Sequence, residues 1–170
     1  MERQTSRTHV VLVAIYELKT IESIPFRQVG IGIIVVYPDR YPDSVLISER
    51  LSSHGKGCHQ LPGGHLEYGE SFEECAQREL KEETNLDCLS SSFKLVHVTN
   101  TIFSQEDGQS KHYVTLFMKT IIHDDSTLKC IEPEKNSNWI WVKWKDLNQM
   151  KLFAPLKQAV DNLNFNPFID

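Results

Sequence analysis

The sequence predicts an α+β fold. Several short stretches rich in β-branched and aromatic residues lie on either side of one well-capped amphipathic helix, and a second amphipathic segment closes the chain. One helix set among runs of strands, without regular strand–helix alternation, favours a mixed layer of sheet and helix over a doubly wound parallel sheet. With 170 residues the chain can bury a substantial core. It is expected to form a single domain over 1–170, with 1–26 as an extension or extra strand.

HVVLVAIYEL (9–18) reads as a strand from its β-branched content, separated by Pro25 from VGIGIIVVY (29–37), a continuous apolar run that reads as a buried strand. After the turn material PDRYPDS comes VLISER (45–50), and the glycine-bearing loop SSHGKG leads into HQLPGG. The segment from Ser71 to about Thr84 is a helix, with Ser71 as N-cap and Glu74 three residues on completing a capping box. FKLVHVTNTIFS (93–104) and KHYVTLFMKTII (111–122) flank QEDGQ, whose Asp-Gly pair signals a hairpin. NWIWVKW (138–144) is expected to be a further strand, with Trp139 and Trp141 in core and edge packing. Phe153, Leu156, Ala159, Val160 and Leu163 recur at helical spacing in the closing segment.

Composition narrows the function. Hydrophobic residues make up 40% and charged residues 24%, and the formal net charge is −5 with no basic stripe, which argues against a stable nucleic-acid partner. The longest apolar run, 29–37, has nine residues including two glycines, far short of the roughly 20 that span a bilayer, so no membrane association is expected. The N-terminus has no long apolar signal-peptide core. Cysteines 58, 75, 88 and 130 form no C-x-x-C pair and no zinc-ligand spacing. They read as reduced thiols, consistent with a cytoplasmic or nuclear location, and Cys75 reads as a packing residue.

The charge is distributed unevenly. Residues 63–86 hold seven glutamates, with Arg78 and Lys81 as the basic residues among them. On a helical wheel at roughly 100° per residue, Phe72, Cys75, Ala76 and Leu80 share one arc. Glu79 and Glu83 fall almost on Phe72, and Glu82 flanks the arc beside Cys75. The three carboxylates are therefore expected to point toward the protein body. There they repel one another and lose hydration unless a cation is shared among them. Hard oxygen ligands suit Mg²⁺ or Mn²⁺ and not zinc. Arg78 is expected to neutralise one partner at most, with Glu70 the obvious candidate. Gly63 and Gly64, which alone would mark a turn, allow close backbone approach beside these carboxylates.

Gly64, Glu70 and the run Arg78-Glu79-Leu80-Lys81-Glu82-Glu83 are spaced as in the 23-residue box that defines the Nudix hydrolases, and the sequence resembles that family. Asn85 stands where the family has glycine; asparagine is the next best residue for a left-handed turn after a helix. QLPGGHLEYGESFEECAQRE, KHYVTLFMK, EPEK (132–135), WIWVKWKDL and FNPF extend the likeness over about 29–168. They look like the MutT-like enzymes of plants and animals that hydrolyse oxidised or otherwise modified guanine nucleotides. Ala154 replaces a bulky aromatic of those relatives, in a segment that helps them enclose the base.

The resemblance implies a Nudix-type α/β/α sandwich with a mixed sheet, a glycine loop–helix catalytic motif and a C-terminal helix. It implies Mg²⁺, or Mn²⁺ in its place, held by Glu79, Glu83 and Glu82, with the carbonyl of Gly63 or Gly64 and with Glu132 or Glu134 adding ligands. Glu79 and Glu82 are the implied catalytic residues, Glu82 either as ligand or as the base that activates water. Arg50 and Lys135 would contact phosphate. Ile31, Ile33, Thr115 and Leu156 would form the base pocket, with Gly64, His65, His112 and Tyr113 near the substrate. The implied reaction is attack of water on a phosphorus of a nucleoside triphosphate such as dGTP or 8-oxo-dGTP, giving the monophosphate and pyrophosphate. Cleavage of ADP-ribose, a nucleotide sugar, an RNA cap or a non-nucleotide diphosphate by the same chemistry is the alternative, and a catalytically silent nucleotide-binding module is a third. Close relatives are often homodimers, so a homodimer is the implied assembly.

Overall fold

The computed structural model describes residues 27–52, 55–104 and 110–169. The expected strand at 9–18 and the Asp-Gly turn lie outside them. The described elements are β1 (Arg27–Val36), β2 (Ser44–Glu49), β3 (His59–Gln60), α1 (Phe72–Thr84), β4 (Lys94–Ser104), β5 (Ser110–Ile121), β6 (Ile140–Lys143) and α2 (Ala154–Asp161), with short 3₁₀ turns at Ser90–Ser92 and Trp144–Gln149. No helix is long and apolar enough to cross a membrane among the described residues. All four cysteines are free thiols.

The uninterrupted apolar run at 29–37 becomes the middle of the sheet, because apolar residues on both faces need cover on both. β1 runs parallel to β5 along its full length, from Arg27↔His112 to Val36↔Ile121. β5 pairs antiparallel with β4, so the two strands on either side of the Asp-Gly pair do form a hairpin ladder, closing at Ser104↔Ser110. β2 pairs antiparallel with the end of β1, with β6 and with β3, giving a mixed sheet in the order β3-β2-β1-β5-β4 with β6 beside β2.

Alternation along β1 sends its side chains to two cores. Ile31, Ile33 and Val35 join Leu116 and Met118 under Cys75, Ala76 and Leu80 of α1. Ile34 and Val36 join Phe117, Leu147, Leu156 and Ala159 on the opposite face, beneath α2. Helices thus cover both faces, which makes the α/β/α sandwich.

Ser71 caps α1 as its sequence predicts: its side chain accepts from the Glu74 backbone N–H at 3.2 Å, and the Glu74 carboxylate accepts from Ser71 N–H at 2.8 Å. Such a cap contributes about 1 kcal/mol. Asn85 ends the helix in the left-handed region at φ 60°, its N–H donating to Lys81 O at 3.0 Å. Phe72 departs from the wheel. It is 39% exposed at the first position of α1, although Cys75 and Ala76 on the same arc are fully buried.

Candidate active site

β1 begins with the small residues Gly30 and Gly32 on the α2-side face. The loop 62–66 lies along this half of the strand: Ile31 N–H donates to Gly64 O and Ile33 N–H to Pro62 O, both at 2.8 Å, and Leu66 N–H donates to Val29 O at 3.1 Å. Gly63 sits at φ 147°, and a Cβ there would stand 2.0 Å from Ile31 O. Only glycine lets the loop lie this close. The same loop faces α1, where Gly63 N–H donates to Glu83 Oε2 at 2.9 Å. A Cβ on Gly64 would lie 2.1 Å from Glu79 Oε1, so the missing side chain makes room for that carboxylate.

These contacts edge a cleft of about 380 Å³, within the usual size of a small-ligand site. Glu79, Glu83 and Glu132 line it; so do Gly30, Gly32, Tyr113, Thr115 and Phe117 with Phe153, Pro155 and Leu156, which form a largely apolar slot. Arg50, His65 and Lys135 border it as well. His65 Nε2 and the Tyr113 hydroxyl are 2.9 Å apart, and burial lowers the proton affinity of His65.

Glu83 is only 6% exposed. Burial, reinforced by the charges of Glu79 and Glu132, pushes its carboxyl up to about 7 against two hydrogen bonds that pull the other way. Burial also raises Glu79, opposed by the adjacent Arg78. Arg78 serves more than the one partner expected of it. Its guanidinium binds Glu70 through Nε at 2.6 Å and Nη2 at 2.9 Å, reaches Glu79 at 2.7 Å and Glu82 at 3.3 Å, and donates to His65 O at 3.2 Å. This holds Glu70 well below the usual range, at about 2. Cys75, fully buried beneath, has its thiol pushed up to about 12 by burial and by nearby carboxylates, and serves packing.

Several sequence expectations need correction. Glu82 does not point into the body: its side chain is 56% exposed, because its position only flanks the buried arc. Glu134 is exposed in its turn, and it is Glu132 that lines the cleft. Ile33 is wholly buried under α1 and does not reach the cleft. His112 turns away from it to bond Asn100 on β4. Both errors are errors of parity: the slot opens on the face of Gly30, Gly32, Tyr113, Thr115 and Phe117, opposite the one that carries Ile33 and His112. The Gly64 carbonyl accepts from Ile31 with one lone pair, which leaves its second open to a cation, and Gly63 offers Glu83 its N–H. Gln60, Phe117, Phe153 and Asn136 line the site without having been anticipated. The glycines at 30 and 32 were the available signal for the open face.

Among the described residues, no three His, Cys, Asp or Glu side chains are drawn together closely enough to hold one ion. Glu79 leans on Arg78 and Glu82 faces solvent. The donor set nevertheless fits a hard divalent cation: Glu79 and Glu83 share the cleft with Glu132, all oxygen donors, and their mutual repulsion is what such an ion relieves.

Residues 26–163 match the sequence model of the NUDIX domain. The chain belongs to the Nudix hydrolase family. Among solved structures, the MutT NUDIX hydrolase of Burkholderia pseudomallei shares its fold with a TM-score of 0.65 and 23% identity over 81% of this chain and 98% of that one. The NUDIX domain of Shewanella oneidensis NrtR, solved with ADP-ribose, does so with a TM-score of 0.64 and 17% identity over 82% and 88%. Stretches of this Nudix chain are similar to two curated relatives. An ADP-ribose pyrophosphatase of Methanocaldococcus jannaschii is 48% identical over 44 residues, 26% of either protein. One of Saccharomyces cerevisiae is 35% identical over 78 residues, 44% of this chain and 32% of the yeast protein. The Nudix chain thus spans about a quarter to a third of the length of these relatives.

Proposed function

We propose that the chain hydrolyses a phosphoanhydride of a nucleotide-derived substrate with Mg²⁺ or Mn²⁺, and that the substrate is a guanine nucleoside triphosphate, ordinary or oxidised, cut to monophosphate and pyrophosphate. One observation carries this reading: a single cleft is lined both by the carboxylates Glu79, Glu83 and Glu132 and by a wall of glycine, aromatic and aliphatic residues. The slot suits a flat base. The carboxylates suit a phosphate chain only when divalent cations intervene, since both partners are anionic.

Glu83 and Glu79, with Glu132, would hold the cation, which when bound supplies charge neutralisation and Lewis acidity at the phosphorus. Arg50 and Lys135 lie on the rim where a phosphate chain would pass. Glu82, linked to Glu79 through one guanidinium nitrogen of Arg78, keeps its carboxylate in water and is free to take a proton without being committed to the cation. Tyr113, Phe117 and Leu156 would enclose the base.

A second reading, cleavage of ADP-ribose, is favoured by the names of the two curated relatives. A panel of dGTP, 8-oxo-dGTP, the other dNTPs, ADP-ribose and a nucleotide sugar, assayed with and without Mg²⁺ and with products identified, decides between them. Pyrophosphate and a guanine monophosphate support the first reading. AMP and ribose phosphate from ADP-ribose, with no triphosphate cleavage, replace it with the second. Silence on the whole panel overturns both.

A further inference from the structure

We propose that Arg50, Gln60 and Asn136 form a one-way hydrogen-bond relay that fixes the orientation of the Glu83 carboxylate, so that Gln60 and Asn136 are positioning residues for the cation-holding end of the cleft. The inference rests on the metal-dependent reading above. Arg50 Nη1 donates to Gln60 Oε1, Gln60 Nε2 to Asn136 Oδ1 at 2.7 Å, and Asn136 Nδ2 to Glu83 Oε1 at 3.1 Å. Gly63 N–H takes the other oxygen, Oε2, at 2.9 Å. Gln60, Asn136 and Glu83 are 7%, 2% and 6% exposed, so a donor or acceptor lost from this chain has little water to replace it.

A carboxamide turned by half a turn exchanges its donor and its acceptor, so neither Gln60 nor Asn136 has an intrinsic direction. The two ends of the chain do. A guanidinium only donates, and the ionised carboxylate, the form that binds a cation, only accepts, here on both oxygens. With those ends fixed, one setting of the two amides satisfies all three contacts; turning either one sets donor against donor or acceptor against acceptor. The backbone holds the members in register. Arg50 bridges Asn136, Leu51 N–H donates to Lys135 O at 2.7 Å, and Ser137 N–H donates to Glu49 O at 2.9 Å. Glu83 is thereby held with one N–H on each oxygen, leaving its remaining lone pairs for the cleft, before any ligand arrives.

The relay makes a prediction opposite in sign to simple charge repulsion. Removing the positive charge of Arg50 should tighten binding of a dication if Coulomb repulsion alone links the two. If Arg50 sets the direction of the relay, the same change weakens it.

The test is Mn²⁺ titration of the full chain, followed by the electron paramagnetic resonance of the free ion, with thermal unfolding of the metal-free protein in parallel. Asn136→Leu and Gln60→Met are each expected to weaken Mn²⁺ binding about tenfold or more, as loss of partners behind a metal ligand does. The double variant should be no weaker than Asn136→Leu alone, because both act through one chain. Arg50→Met should weaken binding too. Gln60→Met that unfolds cooperatively yet binds within about twofold of wild type overturns the relay, as does Arg50→Met that binds more tightly. A purely structural role for the amides would lower the metal-free melting temperature and leave Mn²⁺ affinity unmoved. Should the two buried variants fail to fold, the sign of the Arg50→Met effect decides between relay and repulsion. Failure of the wild-type chain to bind Mn²⁺ at all would count against the functional reading, a different outcome from either.

Discussion

The Glu79 carboxylate rests on the bare Cα of Gly64, where a methyl group would come within 2.1 Å of Oε1. The glycine is there to admit a carboxylate. Gly64→Ala should therefore fold, because the obstructing atoms are the tip of a side chain, but push Glu79 out of place. Turnover should fall about 10²-fold, the scale on which small misplacements act. Gly63→Ala is the contrast. There the clash is with the Ile31 carbonyl at 2.0 Å and φ is 147°, so backbone must move and about 3 kcal/mol or more of stability is lost. Steady-state kinetics and chemical denaturation of the two variants separate these effects. Equal losses of stability would contradict the assignment.

Glu83→Gln removes a charge that would hold the cation and keeps the volume. Turnover should drop about 10²–10³-fold or more, as when a single electrostatic contact to the reacting group is removed, with cooperative unfolding retained. Near-normal activity in that variant would show that the cation is held elsewhere.

Glu83 contributes a pH dependence of stability with a definite sign. Folding raises the Glu83 carboxyl from its ordinary 4.5 to about 7. The folded chain therefore binds that proton more tightly, and the stability it adds is fully present below 4.5 and lost as pH rises through 7. The loss is on the order of 3 kcal/mol at most. Glu70 acts in the opposite sense. Held at about 2, it contributes stability above 4.5 that is lost as pH falls toward 2, outside the window where Glu83 titrates. Burial of His65 and His97 lowers their proton affinity and opposes this as pH falls from 8 to 6, so the Glu83 contribution is read against Glu83→Gln: the melting temperature of metal-free wild type relative to that variant should be lower near pH 8 than near pH 6. Melting curves of both proteins at both pH values check this; a wild type that gains on the variant at the higher pH would refute it.

Gly32 lines the slot, and a Cβ there would meet Phe117 at 3.4 Å, tight but tolerable. Gly32→Ala should keep the fold and narrow the space for a base. KM should rise several-fold, worth about 1 kcal/mol, while kcat changes little, the mark of lost binding common to substrate and transition state. A kcat effect without a KM effect would place the base elsewhere.

Much of this architecture was legible in the sequence because it follows from local rules. The cap at Ser71, the left-handed turn at Asn85 and the buried β1 are read from a few neighbouring residues each. The spacing of Glu79 and Glu83 placed them on the inward side of α1 correctly. The wheel failed at Glu82, which only flanks the buried arc, and at Phe72, the first residue of the helix, because it assigns an angle and says nothing of what packs against it. The slot was misassigned at Ile33 and His112 because a strand apolar on both sides does not declare which face stays open. Gln60 and Asn136 carried no visible signal: a lone amide acquires meaning only from partners that the fold brings from 10 and 76 or 53 residues away.

The last turn of α1 is tied to the loop that follows Lys129. Thr84 O accepts from Lys129 N–H at 2.9 Å, and Glu83 O accepts from both Ile131 N–H and Trp139 Nε1 at 3.1 Å. Helix and loop are therefore one mechanical unit, and changes in 129–139 are transmitted to Glu83. Phe153, Pro155 and Leu156 line the same cleft from the segment that opens α2, where Phe153 N–H donates to His59 O at 2.9 Å. Substitutions at these three therefore change the lining of the cleft without touching the hydrogen bonds that tie α1 to the loop.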